Sequence, residues 1–266
     1  MRLTISHQTT YQYDQPVHYG LQQVRLTPKS RAGQTVLNWT VEITGGKREV
    51  EFDDQHNNRV QLVSFSAGQT EIAILCSGEV ETTSTHGIIG EHGGFTPLWI
   101  FKRPTDLTQP GPRLQSLLGS IGDQFENDIA RLHALSATIL IAVTYESGQT
   151  HSSTTSEEAL VAGRGVCQDH AHIFIAAART LGFPARYVSG YLMMDDQSAE
   201  DASHAWAEVY VKDIGWLGFD ISNGISPDER HIRVATGLDY RDAAPMSGMR
   251  LGDSEESMQV TLQVQQ

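Results

Sequence analysis

The period of the inward-facing residues changes along this chain, and that change limits the folds open to it more than any other feature. Over residues 1–83 such residues alternate with polar neighbours: Leu3, Ile5 and His7, then Trp39, Val41 and Ile43, then Val60, Leu62 and Phe65. A period of two belongs to strands with one covered face. Turn signals separate the runs at Thr44-Gly45-Gly46-Lys47, at Asp53-Asp54-Gln55-His56-Asn57-Asn58 and at Ala67-Gly68-Gln69. They predict an all-β, sandwich-like N-terminal domain. From about residue 113 the spacing becomes three and four, through Leu114, Leu117, Leu118, Ile121 and Phe125 and again through Ile129, Leu132, Leu135, Ile139 and Leu140. These are amphipathic helices. Residues 84–112, rich in Gly and Pro, read as a connecting segment with a short piece of structure around Leu98 to Phe101.

Within 113–266 the order of elements is specific. Ser156-Glu157-Glu158-Ala159-Leu160 reads as a short capped helix that leads into the turn Gly163-Arg164-Gly165. Cys167 follows at once, and from it a buried helix is expected to run to the breaker Gly182-Phe183-Pro184. Three strands are expected next, at 186–194, 204–211 and 216–220, the last two joined as an antiparallel hairpin through Lys212-Asp213-Ile214-Gly215. Ser226-Pro227-Asp228-Glu229 has the form of a helix start, and Met258, Val260, Leu262 and Val264 alternate as a final strand grouped with the 113–266 core.

Composition excludes several classes of function. A formal net charge of −13 over 266 residues argues against nucleic acid as a partner, because such binding depends on clustered Lys and Arg. No run approaches the about 20 apolar residues of a membrane span, and the first residues lack an apolar stretch of signal-peptide length. A soluble protein in the cytoplasm, with no membrane partner, is the expectation. The two cysteines, Cys76 and Cys167, lie in segments of different character and are expected to be free thiols, Cys76 as a small buried hydrophobe.

Cys167 is the exception to that bland role. It stands at a helix entrance, between Gly165 and the polar pair Gln168-Asp169, and the expected hairpin would bring His204 close to Asp220. A thiol attacks as thiolate, which helix N-terminal amides and an imidazolium both stabilise. Cys167 as nucleophile, His204 as acid/base and Asp220 as its orienter form the candidate catalytic set. The backbone N–H of Cys167 is the first oxyanion donor. Gln168 and Tyr145 are candidates for the second, and Trp206 is a cleft candidate on the strand face of His204 together with Tyr210. A metal site built on Cys167, His170 and His172 is the weaker alternative, since His172 falls elsewhere on the helix and no second ligand pair is evident. Asp195, Asp196, Glu200 and Asp201 form an acidic loop before His204, by default solvated and alternatively a preference for cationic substrates.

At these residues the chain resembles the transglutaminase-like superfamily, and in particular the bacterial members provisionally described as cysteine proteases. The resemblance rests on Gly165-Val166-Cys167-Gln168-Asp169, on the run from Gly182 to Leu192, on His204-Ala205-Trp206-Ala207-Glu208-Val209-Tyr210 and on Gly215-Trp216-Leu217-Gly218-Phe219-Asp220; the run from Ile232 to Asp242 looks like the family's region after the active site. It implies an α+β fold: an N-terminal β domain, then a papain-like core with helices packed on an antiparallel sheet. It also implies that the family's Cys, His and Asp fall on Cys167, His204 and Asp220. Three departures stand out. His170 occupies a place where an aromatic residue is usual and would alter the cleft, Ile221-Ser222-Asn223-Gly224 replaces Pro-Thr-Asn-Gly, and Asn57 replaces a turn glycine.

The chemistry implied is attack of a thiol on a peptide or isopeptide amide in a peptide or protein substrate, with water as acceptor. Transfer to an amine uses the same residues, and a non-catalytic binding module that retains the fold is the third possibility. No acidic loop of EF-hand pattern is present, and no metal or organic cofactor is expected.

Overall fold

The computed structural model describes residues 1–194, 203–252 and 254–266. The acidic stretch containing Asp195, Asp196, Glu200 and Asp201 lies outside the described residues.

The expected alternation builds strands β1 (Arg2–Val17), β2 (Tyr19–Thr27), β3 (Gln34–Thr44), β4 (Gly46–Asp53), β5 (Arg59–Phe65) and β6 (Gln69–Thr82). Along β1 every second residue from Leu3 to Tyr13 is buried, as a two-residue period requires. In β5 the buried positions include Val60, Val63 and Phe65, while Leu62, on the opposite face from Val63 and Phe65, is only half-buried. Asn57 takes the left-handed backbone that its turn demands. The two sheets enclose an apolar core of Leu3, Ile5, Val24, Leu26, Val63, Ile74 and Cys76.

Residues 84–112 do more than connect. β7 (Ile88–Gly90) pairs with a strand of the second layer, and two 3-10 turns, Leu98–Lys102 and Asp106–Thr108, follow it. The helices α1 (Pro112–Ile121) and α2 (Asp128–Ala142) come next, then β8 (Thr144–Tyr145), α3 (Ser156–Ala162), β9 (Arg164–Gly165) and α4 (Cys167–Thr180). α3 is held at its start by a reciprocal Thr155/Glu158 capping box and ends at Gly163 in the left-handed region.

β10 (Ala185–Leu192), β11 (Ser203–Val211) and β12 (Gly215–Phe219) match the three expected strands, and β11 and β12 form the expected hairpin, Val211 opposite Gly215 and Ala207 opposite Phe219. No helix follows Ser226. The Asp228 carboxylate instead accepts the backbone N–H of Arg230, making a local turn. β13 (His231–Gly237) then pairs with β10. The sheet of the second layer runs β13-β10-β11-β12-β7, entirely antiparallel. Ala205, Ala207 and Val209 of β11 share a core with α4 and with Leu132, Leu135 and Ile139 of α2.

After the short helix α5 (Tyr240–Ala243) the chain returns to the first layer. β14 (Met246–Leu251) pairs with β2, and β15 (Glu256–Gln265) pairs with β1. The final strand therefore completes the N-terminal sheets and not the core with which its position in sequence groups it. Alternation reports the strand but not its partner.

The two layers share a core, Tyr191, Met193, Ile232 and Val234 packing among the side chains of β1, β2 and β6. Polar ties reinforce it: His7 Nδ1 lies 2.8 Å from the Tyr191 hydroxyl, and the Gln34 side chain both donates to the Arg233 carbonyl and accepts the Arg233 N–H. Among the described residues no helix is long and apolar enough to cross a membrane.

Candidate active site

Cys167 is the first residue of α4, so its backbone N–H is one of the donors that a helix leaves unpaired. Two features hold it there. The parallel bridge between β8 and β9 ties residues 144–146 to 163–165, with the Glu146 N–H donating to the Gly165 carbonyl. Asp169, in the first turn, accepts the Val166 N–H at 2.8 Å and the Thr150 hydroxyl at 2.6 Å. A carboxylate in that turn also suits the helix dipole. Gly165 makes room for it, since a Cβ there would come within 2.6 Å of an Asp169 carboxylate oxygen.

His204, in β11, and Asp220, one residue past β12, are brought together by the hairpin. The His204 Nε2–H donates to Asp220 Oδ2 at 2.9 Å. The Cys167 thiol, at the start of α4, is near enough to the ring to favour its protonated form. Sulfur, imidazole and carboxylate are thus gathered in one place, His204 and Asp220 buried and Cys167 half-buried.

Burial alone would lower the basicity of His204. The hydrogen bonds to Asp220 and Cys167, with their charges, overcome it and raise its pKa to about 10. Burial would likewise raise Asp220, but its hydrogen bonds from His204 and His231 hold it well below the usual carboxylate range. An imidazolium at neutral pH is the partner a thiolate needs.

Three side chains that sequence reasoning passed over stand behind this group. The His231 Nε2–H donates to the same Asp220 oxygen at 3.0 Å, and the Asn223 amide donates to it at 2.7 Å. His231 Nδ1 stands 3.1 Å from Asp228 Oδ1. Asn223 and Asp228 lie in stretches the sequence marks as a departure and as a helix start, while His231 carries no signal of its own. The ligating atoms of His204, Asp220 and His231 all lie within 4.8 Å of one another, close enough to share a metal ion. In the structure they are spent on hydrogen bonds to each other.

The remaining candidates are distributed unevenly. Trp206 stacks on His204, their ring centroids 6.1 Å apart. The Gln168 amide lies beside Cys167 but donates, at 3.4 Å, to the Ser152 carbonyl. Tyr145, 52% exposed, stacks on the His170 ring next to the Cys167 turn. His170 does not line an open cleft as its departure from the family pattern suggested; it is buried, each ring nitrogen 3.0 Å from a carbonyl oxygen, of Val166 and of Val143. His172 turns away to accept the Tyr240 N–H, its pKa lowered to about 3 by burial. The grouping of Cys167, His170 and His172 is therefore not assembled. Cys76 is buried in the other layer, and burial pushes its thiol up to about 12.

Two family models match the chain: the transglutaminase-like superfamily over residues 116–221 and the bacterial transglutaminase-like N-terminal region over residues 3–81. Among curated proteins, an uncharacterized protein of Mycobacterium leprae (strain TN) is 28% identical over 279 residues, covering 99% of this chain and 98% of its own length. Another, from Mycobacterium tuberculosis (strain ATCC 25618 / H37Rv), is 28% identical over 285 residues, covering 97% and 90%. Among solved structures, a protein of Cytophaga hutchinsonii provisionally named a cysteine protease matches with a TM-score of 0.78 and 25% identity, over 99% of this chain and 90% of that one.

Proposed function

The chain belongs to the transglutaminase-like superfamily and carries a bacterial transglutaminase-like N-terminal region, and on that premise we propose that it performs thiol-dependent acyl chemistry on a peptide or isopeptide amide, with water as the acceptor. The observation that carries this reading is the hydrogen bond of buried His204 to Asp220 beside Cys167 at the entrance of α4.

The Cys167 thiolate attacks the amide carbonyl, and the oxygen that becomes negative is met by the free N–H groups opening α4. The C–N bond then breaks, the His204 imidazolium giving its proton to the departing amine, and a thioester to Cys167 remains. Neutral His204 next takes a proton from water as water attacks the thioester, which releases the acid and restores the thiolate–imidazolium pair. Asp220 fixes the ring tautomer and offsets the imidazolium charge throughout. A primary amine in place of water would give transamidation through the same thioester. A cytoplasmic setting, where thiols stay reduced, belongs to the same proposal.

Alkylation rate tests the central pair without knowledge of the substrate. Iodoacetamide at neutral pH should label Cys167 at least about tenfold faster than glutathione, leave Cys76 unlabelled in the folded protein, and slow sharply in His204→Gln. Labelling no faster than glutathione would overturn the proposal. Mass spectrometry of peptide mixtures with and without cadaverine then separates the acceptors: cleavage or deamidation marks water, a gained amine marks transfer, and Cys167→Ala should show neither.

A further inference from the structure

The side of β11 that carries Trp206 and Glu208 looks onto a recess of about 40 Å³ between the two layers, walled in part by Arg31, Gln34, Trp206, Asp228, His231 and Arg233. The hydrogen-bonding capacity of this wall is unevenly spent. Buried Glu208 receives Arg233 at 2.6 Å and Arg186 at 2.5 Å. Asp228 is held by Arg230 at 2.6 Å and faces His231. The Gln34 amide is committed to the Lys29 and Arg233 backbone.

Two donors remain. Arg31 Nε and Trp206 Nε1 are buried and have no hydrogen-bond partner among the described residues. Trp206 is only 2% exposed, so water outside the recess does not serve it. Arg31 forms no ion pair among the described residues, and the one carboxylate whose charge favours it, Glu208, is already bonded to two other guanidinium groups. Burial, with repulsion from Arg233 and Arg186, pushes the Arg31 guanidinium down to about 9, which leaves it charged at neutral pH. A guanidinium with a buried Nε and a buried indole N–H line one recess, and a single anionic acceptor placed there would satisfy both.

We propose that this recess is a carboxylate-binding site, with Arg31 supplying the charge and Trp206 a second donor. A recess of this size admits a group as small as a carboxylate. The site adjoins His204 and Asp220, since Trp206 stacks on His204 and His231 bonds Asp220. The carboxylate has two sources: a free small acid, or an acidic side chain or C-terminus of a peptide bound across the site.

Calorimetric titration of the full chain with sodium acetate, against sodium chloride at equal ionic strength, tests the proposal. Acetate should bind saturably where chloride does not, and Arg31→Gln should weaken it about tenfold or more, as expected for a lost hydrogen bond to a charged group. Trp206→Phe keeps a ring against His204 and removes the donor; it should weaken acetate as well, and it decides the matter if Arg31→Gln fails to fold. In a second arm, an amidated peptide with one glutamate competes with its glutamine analogue. Displacement of acetate by the glutamate peptide alone identifies the source as a substrate side chain, and no displacement by either identifies a free acid. Acetate binding no better than chloride, or equally well in the folded variants, overturns the site. Binding is read without turnover, so failure here leaves the alkylation test of Cys167 standing.

Discussion

Asp220 is the most heavily engaged side chain of the site, one of its oxygens receiving His204, His231 and Asn223. The two imidazoles are not equivalent, because His204 faces the sulfur and His231 faces Asp228. Repulsion from His204 is among the influences that disfavour a proton on His231, and two like charges this close repel in both directions. His231→Gln should therefore have two effects of different kind. The plateau of kcat/KM falls, up to about tenfold for one weakened hydrogen bond to a carboxylate, while the alkaline limb of the pH profile moves to higher pH once the neighbouring charge is gone. A limb that stays in place would mean His231 is electrically silent. The raised pKa of His204 also has a consequence for stability. The native state holds this proton more tightly than the unfolded chain, so the stabilisation is complete below pH 6.5 and drains away as pH rises toward about 10. The slope is at most about 1.4 kcal/mol per pH unit. Urea unfolding between those limits should show a steeper decline for the native sequence than for His204→Gln. Cys167, His204 and Asp220 were legible because turn and helix signals punctuate the chain beside them. His231 was not, since only the pairing of β13 with β10 carries it to the far side of Asp220.

Among the elements, those with a visible period or a strong punctuation were readable, and a buried strand with neither was not. The β11–β12 hairpin announces itself by a short loop ending in Gly215, which takes a positive φ. α4 follows a glycine and runs through helix formers to Gly182. β13 is buried along its whole length yet contains His231, Arg233 and Thr236, so neither alternation nor an unbroken apolar run marks it. Its arginine is tolerated because Glu208 of β11 receives it, a long-range partnership no local pattern reports. The entrance of α4 depends on equally fine spacing. Gly165→Ala would drive a methyl group into the Asp169 carboxylate, which must then release the Val166 N–H and the Thr150 hydroxyl. Loss of that cap should destabilise by about 1–2 kcal/mol. It should also slow alkylation of Cys167, whose backbone is set by the same turn. Thermal melts and iodoacetamide kinetics on one preparation check both, and normal labelling in a destabilised variant would separate the cap from the thiol's placement.

At the scale of the whole molecule, the chain begins and ends in the same layer and makes the layer that holds Cys167, His204 and Asp220 in between. We assign residues 246–265 to the N-terminal layer on the strength of their pairing with β2 and β1, which places the boundary between layers in space and not at one point in the sequence. That arrangement couples the ends of the polypeptide to the site at its centre. β1 is flanked by β15 on one side and β6 on the other, and its buried face supplies Leu3, Ile5 and His7 to the core and to the Tyr191 contact shared with β10. Removing residues 256–266 would strip β15 away, expose the hydrogen-bonding edge of β1 and take the fully buried Leu262 out of the core. An open edge beside an uncovered apolar face invites pairing between molecules. The truncated chain should therefore aggregate at concentrations where the full chain is monodisperse in light scattering. Hydrogen exchange should show lost protection first in β1 and β6, and then in β10 and β13, which share their core. Protection lost in β1 and β6 but retained in β10 and β13 would show that the second layer holds its shape without the first, and the coupling drawn from Tyr191 and Ile232 would be wrong.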